Sequence, residues 1–363
     1  MRAGLFRFAV AGLALHLAGA PLQADTTLFP AKEAGAPGGT LRLHAATDLE
    51  AMKPLIEDFQ SLRPDVAIEY AEDQTVDLFA RAQAECRGKS SSADLLMSSS
   101  TDQLVRLAND GCAMAAPASV VSTLPRWTHW REEVFGFTFE PGVIVYNRDI
   151  VPPKDIKRTR AGLIDLLRAR PDAYSGRVGI YDIERSGIGY LFALHDARAT
   201  TVYGRLLEAL ARLHVSTSCC TADLLADLAA GRLAIGYNLL GSYAVAALRK
   251  GAPLAIVVPR DFTVVLSRAA LVPRHAANPG AAFAFLAYLL SARGQSQAAE
   301  ASFFFSFDGP LPAGVDGPAT LTSSALLRPI EVGAEAMFVQ DRAKRRHFIA
   351  EWHRSLRDVP GPP

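Results

Sequence analysis

The residues best suited to hold a small solute fall in four short runs. Ser186-Gly187-Ile188-Gly189 sets a hydroxyl beside two glycines where a helical pattern begins. Glycine lets backbone approach a ligand, and a helix start offers unpaired N–H groups and partial positive charge. An anionic oxygen accepting such bonds gains roughly 1.5–3 kcal/mol from each. Ser98-Ser99-Ser100-Thr101 is a hydroxyl cluster denser than a helix cap requires. Thr47 and Asp48 follow a first apolar alternation, and Tyr237, Asn238, Ser242 and Tyr243 make a polar, aromatic loop. Tyr146 ends an apolar run and faces either core or cleft. Each run has a structural alternative: Thr47, Ser100, Thr101 and Ser186 are also ordinary N-cap types, and glycines ease helix packing. Arg185 is placed to pair with a phosphate or carboxylate, or else to be solvated. His44 reads as a packed side chain.

The elements that must position these residues alternate. Leu41, Leu43 and Ala45 predict a strand, and Thr47-x-x-Glu50 is a capping box ahead of a helix through Phe59. Strands are expected near Val66–Tyr70 and Asp94–Met97, the latter feeding the capping box Ser100-x-x-Gln103. Gly142–Tyr146, Val178–Tyr181, Leu233–Tyr237, Leu254–Val258, Val264–Leu266 and Leu271–Val272 read as further strands. Helices are expected between them, and Asn278-Pro279 opens one over Ala281–Leu290. The stretch Ala336–Leu356 predicts a basic amphipathic helix, and Phe303–Phe305 reads as core. Repeated strand–helix units imply an α/β fold with largely parallel sheets, and ligands of such sheets lie beyond the carboxyl ends of strands.

Composition sets limits. Of 363 residues, 38 are Lys or Arg and 37 Asp or Glu, and half are hydrophobic. That is a globular chain, long enough for two lobes, with no broad basic surface for nucleic acid. Residues 1–24 read as a secretory signal: Arg2 and Arg7, then the apolar stretch Phe8–Leu17, then small residues ending at Ala24. The expected product is an exported, soluble chain. Four cysteines follow. Cys86 and Cys112 flank one strand–helix unit and are a disulfide candidate, with two buried thiols as the alternative. Cys219 and Cys220 are adjacent and are not expected to pair, because the peptide between them would be strained. No CxxC or HExxH is present, so no metal ligand set or cofactor is expected.

Six segments in order resemble the extracytoplasmic solute-binding proteins of ABC transporters, in the subgroup of ferric-ion, hexose-phosphate and aminoethylphosphonate binders. They are LRLHAATDLEAMKPLIEDF, SSADLLMSSSTDQLVRLANDG, GVIVYNRD, SGIGYLF, GRLAIGYNLLGSYA and ALVPRHAANPGAAFAFLAYLLSARGQ. The resemblance implies a type II periplasmic-binding fold, with two lobes joined by two crossing strands and the ligand in the cleft. The first lobe would hold roughly 25–135 and much of 262–363, which completes it and adds C-terminal helices, and the second roughly 136–261. Thr47, Asp48, Ser99, Ser100, Thr101, Tyr146, Ser186, Gly187, Ile188, Gly189, Tyr237, Asn238, Ser242 and Tyr243 would face the ligand. It further implies a periplasmic monomer that serves an ABC permease and its ATPase, or else a membrane sensor kinase. Ferric-binding members carry adjacent tyrosines where this chain has Tyr237 and Tyr243 six residues apart. A small organic anion, phosphorylated or carboxylated, is therefore expected ahead of iron. An exported hydrolase or transferase is the competing class, but no G-x-S-x-G elbow is present.

Overall fold

The computed structural model describes residues 25–33, 35, 38–121, 126–300, 311–318 and 326–357. The expected leader and Phe303–Phe305 lie outside the described residues. Two sheets form two α/β lobes. The first runs Asp25–Phe29, Ala67–Glu72, Thr40–Ala45, Leu95–Ser98, Ala269–Leu271, Val134–Gly136 and His129–Trp130. Its three central strands, Ala67–Glu72, Thr40–Ala45 and Leu95–Ser98, are parallel. The second runs Val315–Asp316, Leu254–Val257, Glu140–Asn147, Ile235–Leu240, Val178–Tyr181 and Ser216–Ser218, and its last three are parallel. Parallel strands must be joined by crossover helices, which is why the apolar runs are separated by amphipathic ones.

Each lobe has its own core. Leu41, Leu43, Ile56, Phe59 and Phe285 pack in the first, and Val143, Val145, Leu191, Leu206 and Ile235 in the second, all nearly inaccessible. Two segments cross between the sheets. Residues 137–139 link Val134–Gly136 to Glu140–Asn147, and Ser267–Arg268 link Thr263–Leu266 to Ala269–Leu271. They lie side by side, with the Phe137 N–H donating to the Arg268 carbonyl at 2.8 Å.

The tail, expected to give much of its length to the first lobe, packs on both lobes. Leu327–Pro329 pairs with Thr263–Leu266 of the second sheet. Helix Ala334–Val339 packs on helix Thr101–Asn109 of the first lobe, and helix Arg342–Arg357 on helix Val202–Ala211 of the second. Trp352 is buried in the second core, and Phe348 meets Tyr190 edge-on at 5.8 Å. These are long-range apolar contacts, which local patterning does not encode.

The Cys86 and Cys112 sulfurs are bonded, closing a 26-residue separation. Cys219 and Cys220 are bonded as well, contrary to expectation. Among the described residues no helix is long and apolar enough to cross a membrane.

Candidate ligand cleft

The carboxyl ends of the parallel strands in both sheets converge on one cavity of about 240 Å³. From the first lobe it is lined by Thr47, Asp48, Glu72, Asp73, Thr75 and Ser99. From the second it is lined by Arg185, Ser186, Ile188, Cys219, Cys220 and Thr221, with Tyr243 and Arg268 at its floor.

The second-lobe wall is built from two helix starts. Ser186 is the N-cap of helix Gly187–Ala199, and its Oγ accepts from the Gly189 N–H at 3.2 Å. The Gly187 N–H reaches across the cleft to Thr75 Oγ1 at 3.1 Å. The Ile188 N–H has no partner among the described residues. A methyl on Gly187 would lie 2.1 Å from Ser100 Oγ and 2.8 Å from Thr75 Oγ1, so only glycine permits this approach of the lobes. Cys220 is the N-cap of helix Thr221–Ala229 but offers it no side-chain bond, leaving that first turn open toward the cavity. The adjacent disulfide is part of the cavity lining. The ligand atoms of Cys219, Cys220 and Asp223 lie within 4.8 Å of one another, but the sulfurs are committed to each other.

The first-lobe wall carries carboxylates. Asp48 is the N-cap of helix Leu49–Leu62 yet makes no capping bond. Glu72 instead accepts from the Leu49 N–H, the first of that helix, at 2.8 Å. Asp73 pairs with Arg81. His44 lies 3.9 Å from Asp73, and burial, with the Arg81 charge, pushes its pKa down to about 4, so it is neutral at pH 7.

The floor ties the lobes together. Arg268, almost fully buried, bonds Glu140 Oε1 at 2.7 Å, the Ala46 carbonyl at 3.1 Å and Thr47 Oγ1. It lies under the Tyr243 ring at 5.3 Å, and the Tyr243 hydroxyl accepts from the Asp48 N–H at 3.2 Å. Glu140 also accepts from Thr138 and Ser242, so the buried pair is well bonded.

Of the residues expected to face a ligand, Thr47, Asp48, Ser99, Ser186, Ile188 and Tyr243 line the cavity. Gly187 and Ser100 meet at the seam between lobes. The other six lie elsewhere. Tyr237 and Asn238 sit on a bulge in Ile235–Leu240, where the register against Glu140–Asn147 shifts and Asn238 has φ +57°. The bulge turns both into a buried network with Arg160 and Asp196, where Arg160 Nε donates to the Tyr237 hydroxyl at 2.7 Å and Asn238 to Asp196 at 2.7 Å. Tyr146 donates to the Lys157 carbonyl inside the second lobe. Ser242 serves Glu140, Gly189 packs on Tyr181, and Thr101 is fully buried at the start of its helix. Sequence reading missed Glu72, Asp73, Thr75, Cys219, Cys220, Thr221 and Arg268. The run Glu72-Asp73-Gln74-Thr75, polar between a strand and a helix, had the same signature as the runs that were found.

Comparison with known proteins matches the two-lobed α/β fold. The family profile described as bacterial extracellular solute-binding protein matches residues 54–308. The substrate-binding protein of an ABC transporter from Agrobacterium tumefaciens is 32% identical, with a TM-score of 0.85, over 93% of this chain and 100% of that one. Iron-bound HitA from Pseudomonas aeruginosa superposes with a TM-score of 0.61 at 18% identity, over 86% and 99% of the two chains. AfuA from Actinobacillus pleuropneumoniae, with fructose-6-phosphate bound, gives 0.65 at 16%, over 88% and 99%. No curated protein sequence matches.

Proposed function

The chain belongs to the bacterial extracellular solute-binding protein family, whose members serve ABC transporters, and from that premise we propose that it captures a small organic anion in the cleft and delivers it to a membrane permease. The observation that carries this reading is the convergence of the Ile188 N–H, the first turn of helix Thr221–Ala229 and Arg185 on one small cavity shared by both lobes. An anion there gains charge-assisted bonds from the backbone while touching the first lobe, so its binding favours closure. A micromolar affinity needs about 8 kcal/mol, within reach of a few such bonds.

Iron fits less well. Phenolate ligation requires Tyr237 and Tyr243 to lose their protons, and burial pushes both hydroxyls well above the ordinary tyrosine range. Tyr237 is moreover engaged with Arg160 and Asp196.

The test is a melting-temperature screen of the purified protein against phosphate esters, phosphonates, carboxylates and Fe³⁺. An organic anion at 100 times its Kd stabilises by about 2.7 kcal/mol. A response to Fe³⁺ alone, or turnover of the responding compound, overturns the proposal.

A further inference from the structure

Capture of an anion makes no use of the adjacent disulfide in the cleft. Cys219 and Cys220 join the end of strand Ser216–Ser218 to the start of helix Thr221–Ala229 and form part of the second-lobe wall. Both are half-buried, so a small reagent entering the cavity of about 240 Å³ reaches them. The other disulfide is placed differently. Cys112 is buried in the first-lobe packing, and the crevice over Cys86 and Cys112 has a volume of only about 10 Å³, room for barely one water. The backbone on either side of the cleft pair is held. The Asp182 N–H donates to the Ser218 carbonyl at 2.9 Å and the Cys220 N–H to Ser218 Oγ at 3.3 Å. Ser218 Oγ in turn donates to Asp223 Oδ2 at 3.0 Å, and the Thr221 and Tyr181 hydroxyls are bonded to each other. The two sulfurs are thus the movable part of a fixed wall. Once the bond between them is gone, they must part to a non-bonded distance of roughly 3.5–4 Å. With the flanking backbone tied, that room is taken from the cavity.

We propose that the Cys219–Cys220 pair is a site of reversible reduction, and that its disulfide and dithiol states set the affinity of the cleft. This rests on the anion-binding reading and adds a control to that same site. The reductant is a dithiol. One of its thiolates attacks Cys219 Sγ, the sulfur–sulfur bond breaks, and the electron pair leaves on Cys220 Sγ at the start of helix Thr221–Ala229. The second thiolate of the reagent attacks the mixed disulfide and displaces Cys219 Sγ. The reagent ends as a cyclic disulfide, two electrons pass to the protein, and the two protons of the reagent end on the Cys219 and Cys220 sulfurs. In the dithiol state the parted sulfurs occupy space beside the open first turn of that helix, where the anion sits, so the disulfide state binds more tightly. Linkage makes the effect mutual: an anion that prefers the disulfide state tenfold makes the pair harder to reduce by about 30 mV.

The test reads each disulfide separately in the whole protein. The protein is equilibrated in buffers of reduced and oxidised dithiothreitol, free thiols are alkylated, and peptide masses identify the labelled cysteines. Cys219 and Cys220 should be labelled under milder conditions than Cys86 and Cys112, and reoxidation should restore the pair. Calorimetry with inorganic phosphate, glycerol 3-phosphate, methylphosphonate and citrate then compares the oxidised protein with protein in the buffer that reduces only the cleft pair. The tightest binder of the four should prefer the disulfide state at least tenfold, and its presence should lower the midpoint potential of the pair by at least about 30 mV. The double variant Cys219→Ser, Cys220→Ser should bind as weakly as the dithiol state and ignore dithiothreitol. Equal affinity in the two states, tighter binding by the dithiol state, or labelling of Cys86 and Cys112 first overturns the inference but leaves anion capture standing. Silence from all four anions in both states overturns the anion reading, and this inference with it.

Discussion

Replacing Gly187 by alanine tests the closed arrangement of the lobes most directly. The added methyl would stand 2.1 Å from Ser100 Oγ and 2.8 Å from Thr75 Oγ1, where an ordinary contact is beyond about 3.4 Å. Both obstacles belong to the other lobe, so the strain is relieved by opening the cleft rather than by repacking a core. Overpacking of this size costs about 1–3 kcal/mol. Charged against the closed state alone, that weakens solute binding roughly 5- to 150-fold. Within its own lobe the change is mild, because alanine is the better helix former. The assay is calorimetry with the solute found by the melting screen, beside solution scattering of the unliganded protein. Affinity should fall while the melting temperature holds, and the radius of gyration should rise. Affinity equal to that of the natural protein would mean that Gly187 and Ser100 do not meet in the bound state, and the reasoning would fail.

Three further outcomes follow from the buried charges and the disulfide. Burial pushes the Asp102 carboxyl up to about 6, above its unfolded value, so the folded state binds that proton more tightly. The stability this confers is full below about pH 4 and is lost as pH rises through 6; Asp102→Asn should therefore stabilise by about 1–3 kcal/mol at pH 7.5 and by nothing at pH 4, read by urea unfolding. Arg268→Met strands the Glu140 carboxylate in the floor of the cleft and should cost about 3–5 kcal/mol, with Glu140→Gln added to it recovering part of the loss. Removing the Cys86–Cys112 bridge by a double alanine change should lower stability by about 3.5 kcal/mol for its 26-residue loop, measured without reductant, with the cleft disulfide confirmed intact by mass.

What could be read from the sequence was whatever is local. The Ser186 run and the Ser98–Thr101 run announce themselves because a cap and a glycine act on their immediate neighbours, and both reached the seam of the cleft. The alternation of apolar patterns was likewise enough for the α/β architecture. Tyr237 and Asn238 show the limit. A polar pair at the end of an apolar run looks the same whether it faces solvent or a buried arginine. What decided between them was a one-residue bulge and Arg160, 77 positions away in the chain. The adjacent cysteines misled for a different reason: a rule about average strain says nothing of one site where the surrounding strand and helix hold the pair. Arg268 was invisible because its meaning comes from Glu140, Thr47 and Ala46, none of them near it in sequence.

The tail gives the molecule a third tether. Helix Ala334–Val339 travels with the first lobe and helix Arg342–Arg357 with the second, and only Gln340 and Asp341 stand between them. Gln340 is anchored to Asp102, and Asp341 accepts from the Ala343 and Lys344 N–H groups at the head of the last helix. Any rotation of one lobe on the other must bend this elbow or pull one helix off its seat. In a swing of the lobes those two residues would act as a check strap, beside the strands that cross between the sheets.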